Sequence, residues 1–179
     1  MSKMSKAKLA DRQAPGKKHS SKEFTPKAHS PKALNPMEMA LAEAQEAGDR
    51  GEVPVGACVV SASGEVLGCA GNRTVELRDP CAHAELLAIR EACAHRGSER
   101  LTTCDLYVTL EPCAMCAAAI SFARLRRLYF GASDPKGGAV EHGPRFFSQA
   151  TCHHAPEVYG GIGEARAAAL LKVFFAARR

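Results

Sequence analysis

Residues 104–123 read CDLYVTLEPCAMCAAAISFA, and this stretch decides the fold. Its first part, 104–110, is an apolar run with Val, Thr and Tyr, which predicts a strand. Pro112 suits the first turn of a helix, so the Ala-rich part that follows predicts a helix over 113–123. A short apolar run, 127–131, predicts another strand. Strands that alternate with helices predict an α/β fold, with a sheet covered by helices on both faces.

Upstream of this stretch, the sequence predicts a hairpin and a second helix. Two strand-like runs, 53–62 and 65–70, are separated by a Ser-Gly turn at 63–64. After a loop, the apolar residues of 82–96 recur at helical spacing, and Asp79 is the predicted N-cap of that helix.

The first helix is predicted to begin after Asn35. Asn35 is a favourable N-cap, Pro36 suits the first helical position, and Glu38 stands where a capping box needs an acid. Gly48 is predicted to end the helix. Four apolar residues share one face, which predicts that this face is buried: Met37, Ala40, Leu41 and Ala44.

The C-terminal part of the chain predicts a long connection and a last helix. Residues 132–162 contain Gly, Pro and His and show no helical or strand period. A connection of this length in a compact domain is usually functional. The closing helix is predicted over 163–179.

Residues 1–34 differ in composition from the rest of the chain. They are rich in Lys, Ser and Pro and poor in large apolar side chains, which predicts a disordered tail ahead of one domain over 35–179. Residues 1–36 carry nine Lys or Arg and two acids (+7), whereas 37–179 carry fifteen and seventeen (−2). The tail lacks the apolar core of a secretory signal, and its Lys-rich composition argues against a transit peptide. No apolar run reaches the roughly 18 residues of a membrane span, so we expect a soluble, cytoplasmic protein.

The chain has eight cysteines. Several lie inside apolar runs, as small core residues do, and without a secretory signal we expect a reducing compartment rather than disulfides. Only Cys113 and Cys116 have a spacing that indicates a chemical role, because residues three apart on a helix share a face.

Two segments, CAHAE at 81–85 and PCAMC at 112–116, each open a predicted helix. Together they supply two thiolates, Cys113 and Cys116, and one imidazole, His83. This donor set around a tetrahedral Zn²⁺ leaves the fourth position for water, as in catalytic zinc sites. The positive ends of the two helix dipoles favour the thiolates. We therefore predict one Zn²⁺ per chain.

Glu85 lies two residues after His83, so its carboxylate can reach a metal-bound water without being a ligand. Zinc lowers the pKa of water from 15.7 towards about 7. Glu85 is then predicted to carry a proton from this water to the ring nitrogen and the leaving amine of a substrate. The order H-x-E and then P-C-x-x-C is the known signature of zinc nucleobase deaminases, so this mechanism is the established one of that class.

Each motif alone also has a plainer interpretation. A single Cys-x-x-Cys can be redox-active or structural, and a His-Ala-Glu sequence occurs by chance. A zinc-stabilised RNA-binding module without catalysis is a further alternative. A carboxylate beside zinc that is not a ligand, however, has no structural purpose in such a module.

The chain from about Asn35 to Arg179 resembles the bacterial tRNA adenosine deaminases. The resemblance implies the three-layer cytidine deaminase-like fold, with a five-stranded mixed sheet and helices on both faces, and it implies a homodimer. It also implies hydrolytic deamination of adenosine to inosine at the wobble position of an anticodon loop, in an arginine tRNA. The motifs that carry it are VPVGA at 53–57, GNR at 71–73, HAE at 83–85, TLEPCAMC at 109–116 and GASDPKGG at 131–138.

The resemblance implies that Asn72 contacts the flipped adenine nucleotide and that Val55 and Leu110 line its pocket. A side-chain amide can hydrogen-bond the polar edge of a nucleotide, but an Asn in a loop can also serve as a cap. The small side chains of Val55, Ala84 and Ala114 suggest a tight pocket that suits one base.

Outside the pocket, the resemblance implies that Asp134 lies near the anticodon-loop backbone and that Phe175 lies near the same loop. An exposed aromatic ring can stack on an unpaired RNA base. Plainer interpretations remain open: Asp134 as a turn residue before Pro135, and Phe174 and Phe175 as core or dimer contacts.

The chain departs from the family pattern at several places. Cys81 stands where the family often has Thr, and we interpret it as a packed residue rather than a ligand. The segment 139–162 differs from the better-known members. Within it, Cys152, His153 and His154 do not complete a metal-ligand set, so we interpret them as loop residues.

The main alternative function is deamination of a free base or nucleoside, of the guanine or cytosine type, with the same zinc site. The DPKGG sequence at 134–138 and the aromatic C-terminal helix favour the tRNA branch. A cytidine deaminase would more often present Cys where His83 stands.

Overall fold

The computed structural model describes residues 35–178, so the predicted tail over 1–34 lies outside the described residues. In the described part, no helix is long and apolar enough to cross a membrane. A short 3₁₀ turn lies at Phe146–Ser148. The other elements are α1 (Pro36–Asp49), β1 (Gly56–Ser61), β2 (Val66–Gly71), α2 (Thr74–Leu77), α3 (Ala84–Arg96), β3 (Cys104–Leu110), α4 (Ala114–Phe122), β4 (Arg127–Ala132), β5 (Glu157–Tyr159) and α5 (Glu164–Ala176).

The strands form one five-stranded mixed sheet in the order β2-β1-β3-β4-β5. Strand β1 pairs antiparallel with β2 and with β3, whereas β3 with β4 and β4 with β5 are parallel. The helix α4 provides the crossover from β3 to β4, as the deciding stretch predicts. The carboxyl end of β3 therefore leads directly into the amino end of α4.

Helices cover both faces of the sheet. Because side chains alternate along β1, Ala57 and Val59 pack in a core with residues of α3 and α4, while Cys58 and Val60 pack with residues of α1 and α5. The predicted three-layer arrangement is thus confirmed, and α3 and α4 share the face that carries the candidate site.

The start of α1 follows the prediction, and its end does not. The side chain of Asn35 accepts a hydrogen bond from Met37 N at 3.0 Å, and the four predicted core residues are buried. The carboxylate of Glu38 pairs with Arg166 of α5. Gly48 does not end the helix: the helix runs to Asp49, and Gly51 adopts the left-handed conformation with φ 86°.

The connection between β2 and α3 differs from the prediction in two ways. It contains α2, which the sequence analysis did not predict. Helix α3 begins at Ala84 rather than at 82, and Asp79 does not cap it. The carboxylate of Asp79 instead accepts a hydrogen bond from Cys81 N at 2.8 Å. The N-cap position of α3 is held by His83, and the N–H of its first residue, Ala84, is bonded to Asn72.

Cys58 and Cys69 correct the expectation that the cysteines outside the metal motif are unpaired. They lie directly opposite each other on β1 and β2, with their Cα atoms 4.2 Å apart, and their sulfurs are joined in a disulfide. The pairing depends on the register of the hairpin, which spacing along the sequence does not reveal.

A row of tyrosines crosses the other half of the sheet. Tyr107, Tyr129 and Tyr159 occupy matching register positions on β3, β4 and β5. Their rings stack almost parallel, with centroid separations of 4.4 and 4.9 Å. The third ring belongs to a strand that lies inside the predicted connection 132–162.

Candidate active site

Two helix starts bring the predicted metal ligands together. His83 is the residue before α3, Cys113 is the residue before α4, and Cys116 lies in the first turn of α4. The Nδ1 atom of His83 lies 3.8 Å from the Sγ atom of Cys113 and 3.6 Å from that of Cys116. Within residues 35–178, this is the one His/Cys/acid group whose ligand atoms gather closely, all within 4.8 Å of one another.

The spacing of these atoms fits a tetrahedral zinc ion. Bonds of about 2.3 Å to sulfur and about 2.0–2.1 Å to nitrogen separate tetrahedral ligands by roughly 3.5–3.8 Å. The two distances from His83 to the sulfurs fall in that range. Two thiolate sulfurs and one imidazole nitrogen are also ligand types that zinc prefers.

The pKa values of the Cys113 and Cys116 thiols are shifted in opposite directions. A hydrogen bond from Cys116 lowers the pKa of Cys113 to about 4. The same bond, together with burial, raises the pKa of Cys116. The hydrogen bond with Cys113 raises the pKa of His83. The cluster therefore holds one thiolate at neutral pH, and a bound cation would displace the proton of the second sulfur.

Glu85 lies in the first turn of α3 and is only 4% exposed. Burial raises the pKa of its carboxyl, and the carboxyl interacts with the Cys116 thiol and with its own backbone N–H. A buried carboxyl with a raised pKa beside the ligand cluster is suited to hold and release a proton.

Asn72, Val55 and Ala84 are linked by hydrogen bonds at the start of α3, directly after the predicted ligand His83. The side-chain oxygen of Asn72 accepts a hydrogen bond from Ala84 N at 2.9 Å, and Asn72 N donates to the carbonyl of Val55 at 3.0 Å. All three residues are buried. The side-chain oxygen of Asn72 therefore caps the start of α3, as the plainer interpretation has it. Its side-chain nitrogen can still donate a hydrogen bond to a substrate.

Leu110 and Asp134 lie near the junction of β3 and α4. Leu110 is the last residue of β3 and is half-buried. Asp134 follows β4, and its carboxylate accepts hydrogen bonds from Lys136 N at 3.1 Å and Gly137 N at 3.0 Å. The turn interpretation of Asp134 is therefore correct for its side chain, which folds back on its own loop.

Glu111 is a residue of this site that the sequence analysis missed. It lies between β3 and Pro112, and its side chain is fully buried. Its carboxylate accepts hydrogen bonds from the backbone N–H groups of Asp134, Val140, Glu141 and His142 and from the His142 ring. These bonds lower the pKa of Glu111 to about 2, against the effect of burial. An acid placed between a buried strand and a proline was the available signal.

Phe175 lies on α5, which packs with α1 on the face opposite α3 and α4. Its ring is 49% exposed and meets Phe174 edge to face, with centroids 5.3 Å apart. The Phe174 ring is covered by the Arg178 guanidinium at 3.5 Å. Of these two rings, Phe175 is therefore the one available as a stacking surface.

The remaining cysteines and histidines of the motifs are held in loops. The Cys152 thiol donates to the carbonyl of His154 at 3.1 Å, and His154 Nε2 lies 2.6 Å from the carbonyl oxygen of Leu125. The His153 ring tilts against Phe122. Cys81 is half-buried, and its backbone bonds to Asp79. These contacts agree with the interpretation of all four as loop or packing residues.

A family model covers the site. Residues 31–132 match the cytidine and deoxycytidylate deaminase zinc-binding region. This range is more than half of the chain, and it contains all of the predicted ligands and Glu85.

Known proteins are similar to the chain over most of its length. A tRNA-specific adenosine deaminase of Agrobacterium fabrum (strain C58) is 63% identical over 143 residues, which cover 80% of this chain and 93% of that protein. A solved chain from a study of A-to-I editing by tRNA:A34 deaminases at the wobble position of transfer RNA is 64% identical, with a TM-score of 0.74, and the match covers 76% of this chain and 98% of that chain. A guanine deaminase from Nitrosomonas europaea is 25% identical, with a TM-score of 0.68, over 79% of this chain and 83% of that one.

Proposed function

Because the chain belongs to the zinc-binding cytidine and deoxycytidylate deaminase family and, within it, to the tRNA-specific adenosine deaminases, we propose that it converts adenosine to inosine at the wobble position of a tRNA anticodon loop. The observation that carries this proposal is the 63% identity to such an enzyme over nearly all of its length. The proposed substrate is an arginine tRNA, which rests on the resemblance of the motifs alone.

The chain's own residues divide the work of a hydrolytic deamination. His83, Cys113 and Cys116 hold one zinc ion per chain, and when bound the zinc supplies the Lewis acidity that makes water a nucleophile near neutral pH. The reaction adds water to adenosine and releases ammonia, leaving inosine.

Glu85 moves the protons of this reaction. Its carboxylate oxygen takes a proton from the attacking water and delivers it to the adenine ring nitrogen and then to the leaving amine. The raised pKa that burial gives this carboxyl suits both steps, since the group must accept and return a proton within one turnover.

The pocket holds a single base in place for this attack. The free amide nitrogen of Asn72 donates to the adenine nucleotide, while Val55, Ala84 and Leu110 enclose the base. An adenine stacked in a duplex cannot enter, so the base must be flipped out, which costs least in a single-stranded loop. A small pocket offers limited binding energy, so contacts by Asp134 and Phe175 to neighbouring nucleotides supply the rest.

The test is a comparison of substrates with the purified full chain loaded with zinc. An anticodon stem-loop with adenosine at the wobble position is expected to yield inosine, detected by mass spectrometry of the digested RNA. The matched control is the same stem-loop with the adenosine moved one position along the loop. Free adenosine, cytidine and guanine are the competing substrates. A specificity constant for free guanine or adenosine equal to that for the stem-loop would contradict the proposal and favour the free-base alternative.

Two further properties stay predictions of the resemblance and the sequence. The enzyme is expected to be a homodimer, which light scattering on the eluted protein at several concentrations would test. It is expected to act in the cytoplasm, where tRNA is processed, which fractionation of cells that express the full chain would test.

A further inference from the structure

We propose that Glu111 and His142 form a clasp that positions the loop 134–142 beside the reaction centre, and that His142 is a positioning residue for RNA binding. The proposal rests on the proposed function for its link to RNA. The clasp itself stands on the contacts of two side chains that the deamination mechanism does not use.

The carboxylate of Glu111 binds both ends of the loop at once. Its Oε2 atom accepts from Asp134 N at 3.0 Å and from the His142 ring Nδ1 at 2.7 Å. Its Oε1 atom accepts from three successive backbone N–H groups at 2.8–3.1 Å: Val140, Glu141 and His142. Successive N–H groups that converge on one oxygen form a nest, which is a strong anion-binding arrangement.

The middle of the loop closes over the same carboxylate. A Cβ atom on Gly138 would lie 2.5 Å from the Glu111 carboxyl carbon and 2.5 Å from the carbonyl oxygen of Asp134, so only glycine fits. Gly138 in turn forms a β-bridge with Cys113, and Ala139 N donates to Pro112 O at 2.9 Å. The loop is therefore fixed to the segment that carries a predicted zinc ligand.

His142 is the replaceable part of this clasp. The buried carboxylate can only accept, so the Nδ1 atom of His142 carries the proton and donates it. The His142 side chain is 37% exposed, whereas that of Glu111 is fully buried. Removing the imidazole therefore leaves the backbone bonds in place and loosens the end of the loop.

A looser loop would weaken RNA binding more than it slows the reaction. Asp134 lies at the other end of the loop, so its place beside the anticodon backbone depends on the same carboxylate. A mobile loop must be ordered when RNA binds, and that entropy cost appears in the KM. Cys113 is held by its place at the start of α4, and a bound metal would hold it further, so kcat should change little.

Three variants of the zinc-loaded full chain separate the clasp from a general effect on the fold. His142→Ala removes the donor. His142→Asn keeps an N–H near the position of Nδ1, and His142→Gln places its amide near the position of Nε2, away from Glu111. The control is His153→Ala, an exposed histidine that contacts Phe122 instead. The two measurements are amide hydrogen exchange over 134–142 without substrate, and kcat and KM with the stem-loop.

His142→Ala and His142→Gln are expected to speed exchange over 134–142 and to raise the KM about tenfold, the effect of losing one charge-assisted hydrogen bond. Their kcat should stay within about twofold of wild type. His142→Asn should restore both values, and zinc content should be equal in all variants.

Unchanged exchange in His142→Ala would overturn the clasp, as would equal behaviour of the Asn and Gln variants. A fall in kcat at constant KM would also overturn the positioning role. A wild-type chain that leaves the stem-loop unchanged would refute the proposed function, and the exchange measurement would still decide the clasp.

Discussion

The side-chain oxygen of Asn72 accepts a hydrogen bond from the backbone N–H of Ala84, the first residue of α3, at 2.9 Å. This bond ties the loop after β2 to the helix that carries Glu85. Because the oxygen faces the helix, the side-chain nitrogen of Asn72 faces away from it. One side chain thus stabilises a helix end and presents a donor.

Variants at Asn72 should separate these two roles. Asn72→Asp keeps an acceptor for Ala84 N but has no donor, so we expect near-normal stability and a large loss of turnover on the stem-loop. Asn72→Ala loses both groups and should also lose about 1 kcal/mol of stability, as for other helix caps. Thermal unfolding and kcat/KM measure the two effects. Full activity in Asn72→Asp would show that the amide nitrogen does not contact the substrate.

Removal of a zinc ligand should cost metal and stability together, because metal binding energy is also folding energy. We expect Cys113→Ala and Cys116→Ala to contain little zinc and to unfold at a lower temperature. Cys81→Ala is the matched control, since Cys81 is close in sequence to His83 and is predicted not to be a ligand. Metal analysis decides the matter: full zinc in both ligand variants, or a loss of zinc in the control, would refute the assignment.

Glu85→Gln should separate chemistry from binding. The amide keeps the shape of the side chain but cannot take a proton from water, so turnover should fall by at least about 10²-fold. Zinc content and the affinity for the stem-loop should be retained. Single-turnover kinetics and a binding titration test both parts, and a near-normal rate would assign the proton transfer to another group.

Because of Glu52, the free energy of unfolding should fall as the pH is lowered into the acid range. Burial would raise its pKa, but hydrogen bonds from Glu76 N, Val75 N and the Thr74 hydroxyl outweigh burial, and the pKa is lowered. A carboxyl with a lowered pKa stabilises the fold above its unfolded pKa of about 4.3, and this contribution is lost as the pH falls through the folded value.

We therefore expect Glu52→Gln to lose about 2 kcal/mol at pH 7, as for hydrogen bonds to a charged group. The difference from wild type should shrink as the pH falls below about 4.3. Urea unfolding at several pH values measures it. Glu46→Gln, at an exposed position of α1, is the control and should change little. A difference that stays constant with pH would contradict the assigned ionisation.

Phe175→Ala should weaken turnover of the stem-loop by about 1–3 kcal/mol, the range for a base stacked on an aromatic ring. Zinc content and melting temperature should not change. Val173→Ala is the control, because Val173 is 72% exposed on the same helix and offers no ring. Equal kinetics of the two variants would mean that Phe175 has no part in RNA binding.

The sequence predicts those parts of the molecule whose causes are local. The N-cap Asn35 and the Ser-Gly turn of the hairpin are signals within a few residues, and each appears in the structure. Pro112 correctly marks the approach to a helix, but it lies before the N-cap Cys113 rather than in the first turn. The shared helix turn of Cys113 and Cys116 also follows from local spacing, whereas their meeting with His83, 30 residues before Cys113, was predicted from the combined H-x-E and P-C-x-x-C signature.

The parts that the sequence analysis missed depend on distant contacts. Helix α2 is held by Glu52, which lies on a different segment, and its four residues have no amphipathic pattern. Strand β5 is three residues long and is defined by its pairing with β4. The role of Glu111 depends on a loop more than twenty residues further along the chain. The position of Glu111 between a buried strand and Pro112 is a local sign of burial, but it does not reveal which N–H groups the carboxylate binds.

The stacked tyrosines of β3, β4 and β5 give the protein an internal optical reporter. The chain contains three tyrosines and no tryptophan, and all three rings belong to that row. Tyrosine emission and the tyrosine bands of near-ultraviolet circular dichroism therefore come entirely from one half of the sheet. Loss of the edge strand would be visible in these signals without any added dye, and it could be followed separately from changes at the metal cluster.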